Sequence, residues 1–323
     1  MQTLLQNTRA YKLLQAEKQN NRFSHAYLLL LDDARNLRSA LKTFAKLFFA
    51  DNQRVTQLIE EENFSDCLFF PSSDKKFVVE DAEKIAEECL LKPVEGERKL
   101  FVISDFAEAT PPAQNKLLKL LEEPPAGVFF LLGATSVFPV LSTVLSRVER
   151  LEIPPFSIDE ICGVLKAEYK NAGYTQTEFE LCAAVSGGSL GTAQSTLEGG
   201  EEKKLVESAF SLCLTTGKTL PALAKTVGEC KRKKEFLSLL RLLFRDALLL
   251  KTQGGKAKLL LNSERERLKK IAEKYETETL LFAQEEITKA EQRLFFNTVF
   301  PQCLEILAAS ILKRDEENKK RKV

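Results

Sequence analysis

No glycine occurs before Gly96, only one histidine is present in 323 residues, and no two cysteines stand closer than 17 positions apart. Each shortage removes a class of chemistry. Without glycine, the first 95 residues cannot cheaply supply the unusual backbone angles with which a phosphate-binding loop wraps its anion. The cysteine spacing contains no CxxC pair and no zinc-ligand pattern, so no structural metal is expected. The seven cysteines sit mostly inside apolar patterns, as in "FELCAAV" around Cys182, and read as reduced core residues of a cytoplasmic protein. The lone His25 stands just before an apolar strand and reads as a structural hydrogen-bonding residue. No apolar run reaches the roughly 18 residues of a membrane span, and polar sequence follows Met1, so neither a membrane partner nor a signal peptide is expected. Charge of one sign is also lacking. With 47 basic and 46 acidic residues the net charge is +1, and no overall field draws the molecule to nucleic acid.

What is present is a chain long enough for two or three cores. Five short apolar runs, 26–31, 66–70, 99–104, 128–134 and 148–153, alternate with helical patterns through residue 155. Their composition predicts strands buried on both faces, hence a parallel sheet covered by helices. Leu37, Leu41, Phe44, Ala45 and Phe48 keep helical spacing, and further helices are predicted at 79–91 and 111–123. Pro111 and Pro112 suit the start of the last, and Pro124 and Pro125 its end. After "PPFS" (154–157) the strand signal stops. Short helices separated by Gly173 and "SGGSLG" (186–191) fill 158–197, and "EGGEE" (198–202) reads as a hinge. Long amphipathic helices follow from Leu205, and "KRDEENKKRKV" reads as a frayed tail. The predicted fold class is therefore α/β followed by all-α. Its domains are an α/β unit (1–155), a small helical domain (156–203), a helical domain (204–313) and a basic, disordered tail (314–323).

In a parallel α/β unit, the place to look for nucleotide binding is the loop after the first strand. Here that loop is Asp32, Asp33, Ala34, Arg35 and Asn36. Two carboxylates stand where a triphosphate would lie, and the Lys and Ser/Thr of a P-loop are missing. The third strand ends in Asp105, as a metal-binding carboxylate would, but Phe106 follows where a catalytic glutamate would activate water. On its own Asp105 reads as a turn or helix cap. The basic clusters "KRKK" (231–234) and "KKRKV" (319–323) read as solvated surface.

Residues 115–153, "NKLLKLLEEPPAGVFFLLGATSVFPVLSTVLSRVERLEI", resemble the "NALLKTLEEPP…FILAT…LLPTILSRC" stretch of bacterial clamp-loader subunits, which belong to the AAA+ superfamily. "NRFSHAYLLL" (21–30) resembles the approach to their first strand, "SGGSLGTA" (186–193) their lid segment, and "AEQRLFFNTVFPQCLEILAASIL" (290–312) their last collar helices. The resemblance implies an AAA+ P-loop-NTPase-like sheet core, a lid and an oligomerising collar. It implies that Arg147, in the Ser146–Arg147 pair, reaches a neighbouring subunit's ATP as an arginine finger; Val148 replaces the family's cysteine. It further implies that the sensor arginine of the lid is replaced by Gly191. The gaps at Asp32–Asn36, Phe106 and Gly191 all fall in one nucleotide site, so the pattern is that of a member that binds no cofactor and hydrolyses nothing itself. Implied partners are gamma/tau ATPase and delta subunits in a hetero-pentamer, with the sliding clamp and primer-template DNA met through the complex. The competing readings are an active gamma/tau-type ATPase and a stand-alone DNA-binding protein. The four-cysteine zinc module seen in many such subunits is missing from 48–67.

Overall fold

The computed structural model describes residues 1–72, 76–199, 202–228, 232–261, 264–295 and 298–320, and the chain forms two compact units, Met1–Pro155 and Phe156–Val323. In the first, five strands run parallel in the order β2-β3-β4-β1-β5: β1 Ala26–Leu30, β2 Cys67–Phe70, β3 Lys99–Ile103, β4 Val128–Ala134 and β5 Glu149–Glu152. Each lies within one predicted run. β1 and β3 are buried at every residue, because helices cover both faces. In β5 only Leu151 is buried. The prediction of burial on both faces fails there because Glu149, Arg150 and Glu152 are charged and stay in contact with water.

On one face of the sheet Phe101 stacks on Phe130 with ring centroids 5.6 Å apart, under the helices Val79–Glu88 and Pro111–Glu122. Pro111 and Pro112 occupy the first turn of the latter, where an N–H would be unpaired anyway, and Thr110 Oγ1 accepts from the Ala113 amide at 3.4 Å. On the other face the helix Ala34–Ala45 buries Leu37, Leu41 and Phe44. A Cβ on Gly133 would lie 2.7 Å from Leu41 Cδ1, so glycine is what lets β4 approach this helix.

The same helix is tied to the sheet's C-terminal edge by a charge. Arg38 pairs with Glu62 and also donates to Pro71 O and Ser104 Oγ, each at 3.2 Å. The Arg38 hydrogen bond holds the Glu62 carboxyl below the usual carboxylate range, and Lys42 assists. A depressed acid stabilises the fold above its unfolded-state pKa and loses that contribution as pH falls through the folded value. The pair is partly exposed, so its share is about 1 kcal/mol or less after solvent screening. Urea midpoints measured from pH 7 to pH 3 should therefore decline less steeply in Glu62→Gln than in the wild type; parallel curves would show that Glu62 carries none of the acid sensitivity.

The second unit is all helix among its described residues. Ile158–Glu168 and Gln176–Val185 each begin with a capping box, Ser157 with Glu160 and Thr175 with Glu178. Leu190–Gly199 follows, then Glu202–Leu214, Leu220–Gly228, Lys233–Gln253, Arg265–Lys274, Thr277–Phe295 and Phe300–Lys320. Ala184 and Val185 share one apolar cluster with Phe210, Phe236, Leu243 and Phe300. The helices predicted as separate 156–203 and 204–313 domains thus lie in a single compact unit. Asp246 is fully buried and accepts from the Leu260 and Leu261 amides, both at 2.9 Å, which folds the chain after Gly254–Lys256 back onto Lys233–Gln253.

The tail prediction needs correcting. The last helix continues to Lys320 with Asp315 and Asn318 buried. Asp315 accepts from Thr279 Oγ1 at 3.0 Å and the Glu276 amide at 3.1 Å, and Lys319 donates to Lys274 O at 2.9 Å. The segment is held by polar anchors, so a search for an apolar face overlooks it. Residues 321–323, Lys231 of the 231–234 cluster, Cys230, and residues 200–201 of the predicted hinge lie outside the described residues. Arg232 donates to Ser195 O at 2.5 Å, and the Lys233 ammonium lies 5.9 Å from the Phe300 ring centroid. Among the described residues no helix is long and apolar enough to cross a membrane.

Candidate functional site

The loop after β1 is closed by its own side chain. Asp33 is 3% exposed and caps the helix Ala34–Ala45, accepting from the Asn36 amide at 3.1 Å and from Asn36 Nδ2 at 2.9 Å. Its amide donates to Leu31 O at 2.8 Å. A helix start that follows a parallel strand is where an anion would bind backbone N–H groups and the positive end of the helix dipole. Here a built-in carboxylate takes that position, while Asp32, Ala34 and Arg35 face solvent.

At the end of β3, Asp105 adopts a left-handed backbone with φ 45°. Its carbonyl accepts from the Glu108 amide at 2.9 Å, but its carboxylate caps nothing: Oδ1 is buried without a hydrogen-bond partner. The cap prediction therefore holds for its backbone only. Burial pushes the Asp105 carboxyl up, and Glu108 adds to this. Phe106 is fully buried, with its ring centroid 6.2 Å from that of Phe77. The residue at the glutamate position is thus part of the core. In the second unit Gly191 is buried in the first turn of Leu190–Gly199 and presents no side chain.

Arg147 follows the short helix Ser142–Leu145 and precedes β5. It lines an open cleft of about 610 Å³ with Ser24, His25, Glu122, Ser146 and Glu149. Nε donates to Glu122 Oε1 at 2.8 Å, and Nη2 pairs with the same oxygen. Nη1 donates to Thr143 O at 2.7 Å and Ser146 Oγ at 3.0 Å. Ser146 Oγ in turn donates to Thr143 O at 3.0 Å, so Ser146 and Arg147 meet on the same backbone carbonyl. Burial pushes the Glu149 carboxyl up, with Glu17 contributing. His25 bonds through its backbone, its carbonyl accepting from the Phe130 amide at 2.9 Å, whereas its Nε2 is buried with no partner. The hydrogen-bonding role predicted for it belongs to the main chain.

Two residues that shape this site escape a reading of the sequence. Glu122 closes the Pro111–Glu122 helix beside the "EEPP" break, and its position is visible there, but its contact with a residue 25 positions on is not. Gln114 is 1% exposed and joins three segments. Its Nε2 donates to Ala109 O and Pro139 O, both at 3.2 Å, and its Oε1 accepts from the Leu141 amide at 2.9 Å. Through Leu141 it seats the turn that carries Ser142–Arg147. Among the described residues no three His, Cys, Asp or Glu side chains gather as metal ligands.

Residues 6–157 match the family model described as "DNA polymerase III, delta subunit". DNA polymerase III subunit delta' of Bacillus subtilis is 28% identical over 155 residues, 46% of this chain and 47% of that protein. Subunit tau of Bacillus subtilis is 26% identical over 199 residues, 58% of this chain and 35% of that one. Subunit gamma of Buchnera aphidicola subsp. Baizongia pistaciae is 28% identical over 134 residues, 41% of this chain and 36% of that one. The chain spans about a third to a half of the length of these relatives. The chain is thus similar to DNA polymerase III subunits of the delta', tau and gamma kinds alike.

Proposed function

We propose that this chain is a clamp-loader subunit of DNA polymerase III of the delta-prime kind, one that binds no ATP and serves an ATPase neighbour. The observation that carries this reading is Asp33, whose carboxylate caps the helix after β1 where a triphosphate would have to lie. Phe106 supports it, since no carboxylate follows Asp105 to position water. On this reading Arg147 is offered to the ATP of an adjoining gamma/tau subunit, where a guanidinium spreads its charge over the transferring phosphoryl oxygens. The second unit supplies the collar contacts that hold the chain with gamma/tau and delta subunits in a hetero-pentamer. Loading the sliding clamp onto primer-template DNA is the work of that assembly.

Calorimetric titration of the isolated chain with ATP and Mg²⁺ tests the reading. No saturable heat is expected up to millimolar nucleotide. Saturation in the micromolar range would overturn this reading and favour a gamma/tau-type ATPase. Steeply salt-dependent DNA binding by the chain alone would instead favour a stand-alone DNA-binding protein.

A further inference from the structure

We propose that Glu122 is a positioning residue for Arg147, holding the guanidinium by its Nε/Nη2 edge and surrendering that edge to an incoming γ-phosphate. This rests on the finger reading above and adds to it the step by which the finger is released. An arginine has five N–H donors. Nη1 places both of its own on Thr143 O and Ser146 Oγ. Nε and one Nη2–H converge on Glu122 Oε1. A single Nη2–H is left. Bidentate binding of an oxyanion needs two parallel donors on one edge of the fork, and Glu122 fills that edge. In the free subunit the carboxylate therefore stands in for the phosphate.

The grip suits exchange. Both donors meet one carboxylate oxygen, and the side chains are 30% and 48% exposed, so water competes for the pair. A γ-phosphate offers more negative charge and three oxygens. The cleft of about 610 Å³ gives the displaced Glu122 room. The Nη1 bonds to Thr143 and Ser146 do not involve Glu122, so the guanidinium keeps its anchor on the Ser142–Leu145 turn during the exchange.

The test uses a reconstituted clamp loader with ATPase-competent neighbours, containing the wild-type chain, Glu122→Gln or Arg147→Ala. Removing the competing charge should lower the KM for ATP at the adjoining site about two- to fivefold, the scale of an exposed ion pair, with kcat unchanged. A fall in kcat in Glu122→Gln would overturn the proposal, because Glu122 would then be needed while the reaction proceeds; an unchanged KM would overturn it too. If Arg147→Ala leaves the ATPase intact, the finger reading fails separately. The contact itself is read in the isolated chain from the Arg147 Hε resonance in ¹⁵N spectra. It should shift and exchange faster with solvent in Glu122→Ala, and an unmoved resonance would mean that the pair does not form.

Discussion

Replacing Arg147 with alanine in an assembled clamp loader should slow hydrolysis at the adjoining ATP site by roughly 10³-fold or more, the range seen when other NTPases lose an arginine finger. The subunit itself should be almost untouched. Arg147 is exposed on one side and its partners are Glu122, a backbone carbonyl and the Ser146 hydroxyl, so its removal leaves no cavity and no buried charge. Gel filtration should show an intact complex, and pre-steady-state phosphate release should show the loss in the chemical step. Arg147→Lys should recover little, since an ammonium cannot reproduce the planar fork. An Arg147→Ala complex that hydrolyses ATP at the wild-type rate would reduce the chain to a scaffold.

Phe106 sets the second large effect. Because it is fully buried against Phe77, Phe106→Ala should destabilise the first unit by ~3–5 kcal/mol, a large part of the 5–15 kcal/mol that holds a typical domain folded. Phe106→Glu, which restores the residue an ATPase would carry, should do worse. It adds an unpaired carboxylate beside Asp105, whose own Oδ1 already lacks a partner. Urea unfolding followed by hydrogen exchange of the β3 and β4 amides would report both. A Phe106→Glu chain of wild-type stability would show that the position tolerates a carboxylate.

The sheet was legible because β1, β2 and β4 are compact apolar runs and β3 is one after Lys99, and the helix Pro111–Glu122 because prolines mark both of its limits. The helix Arg9–Asn20 was not, since only Ala10 and Leu14 are buried along it and so thin a stripe gives no period. The site divides in the same way. The lack of a phosphate loop could be read from the residues after β1, because chemistry there is local to five positions. The Glu122–Arg147 pair and the Gln114 junction join residues about 25 positions apart, and only the closure of β4 and the Ser142–Leu145 turn brings them together. Asp315 and Thr279 are further apart still, which is why a strongly charged C-terminal segment gave no hint of its anchorage.

Asp33 has one more consequence. A carboxylate fixed one residue before the helix it caps has an effective concentration that a free anion at ordinary cellular levels does not match. When its hydrogen bonds open it cannot diffuse away. A nucleotide-binding loop alternates between full and empty, and that alternation is what lets an AAA+ motor keep time. A loop whose occupant is covalently attached never stands empty. On the reading proposed above, ATP turnover in the neighbours would leave this loop as it is.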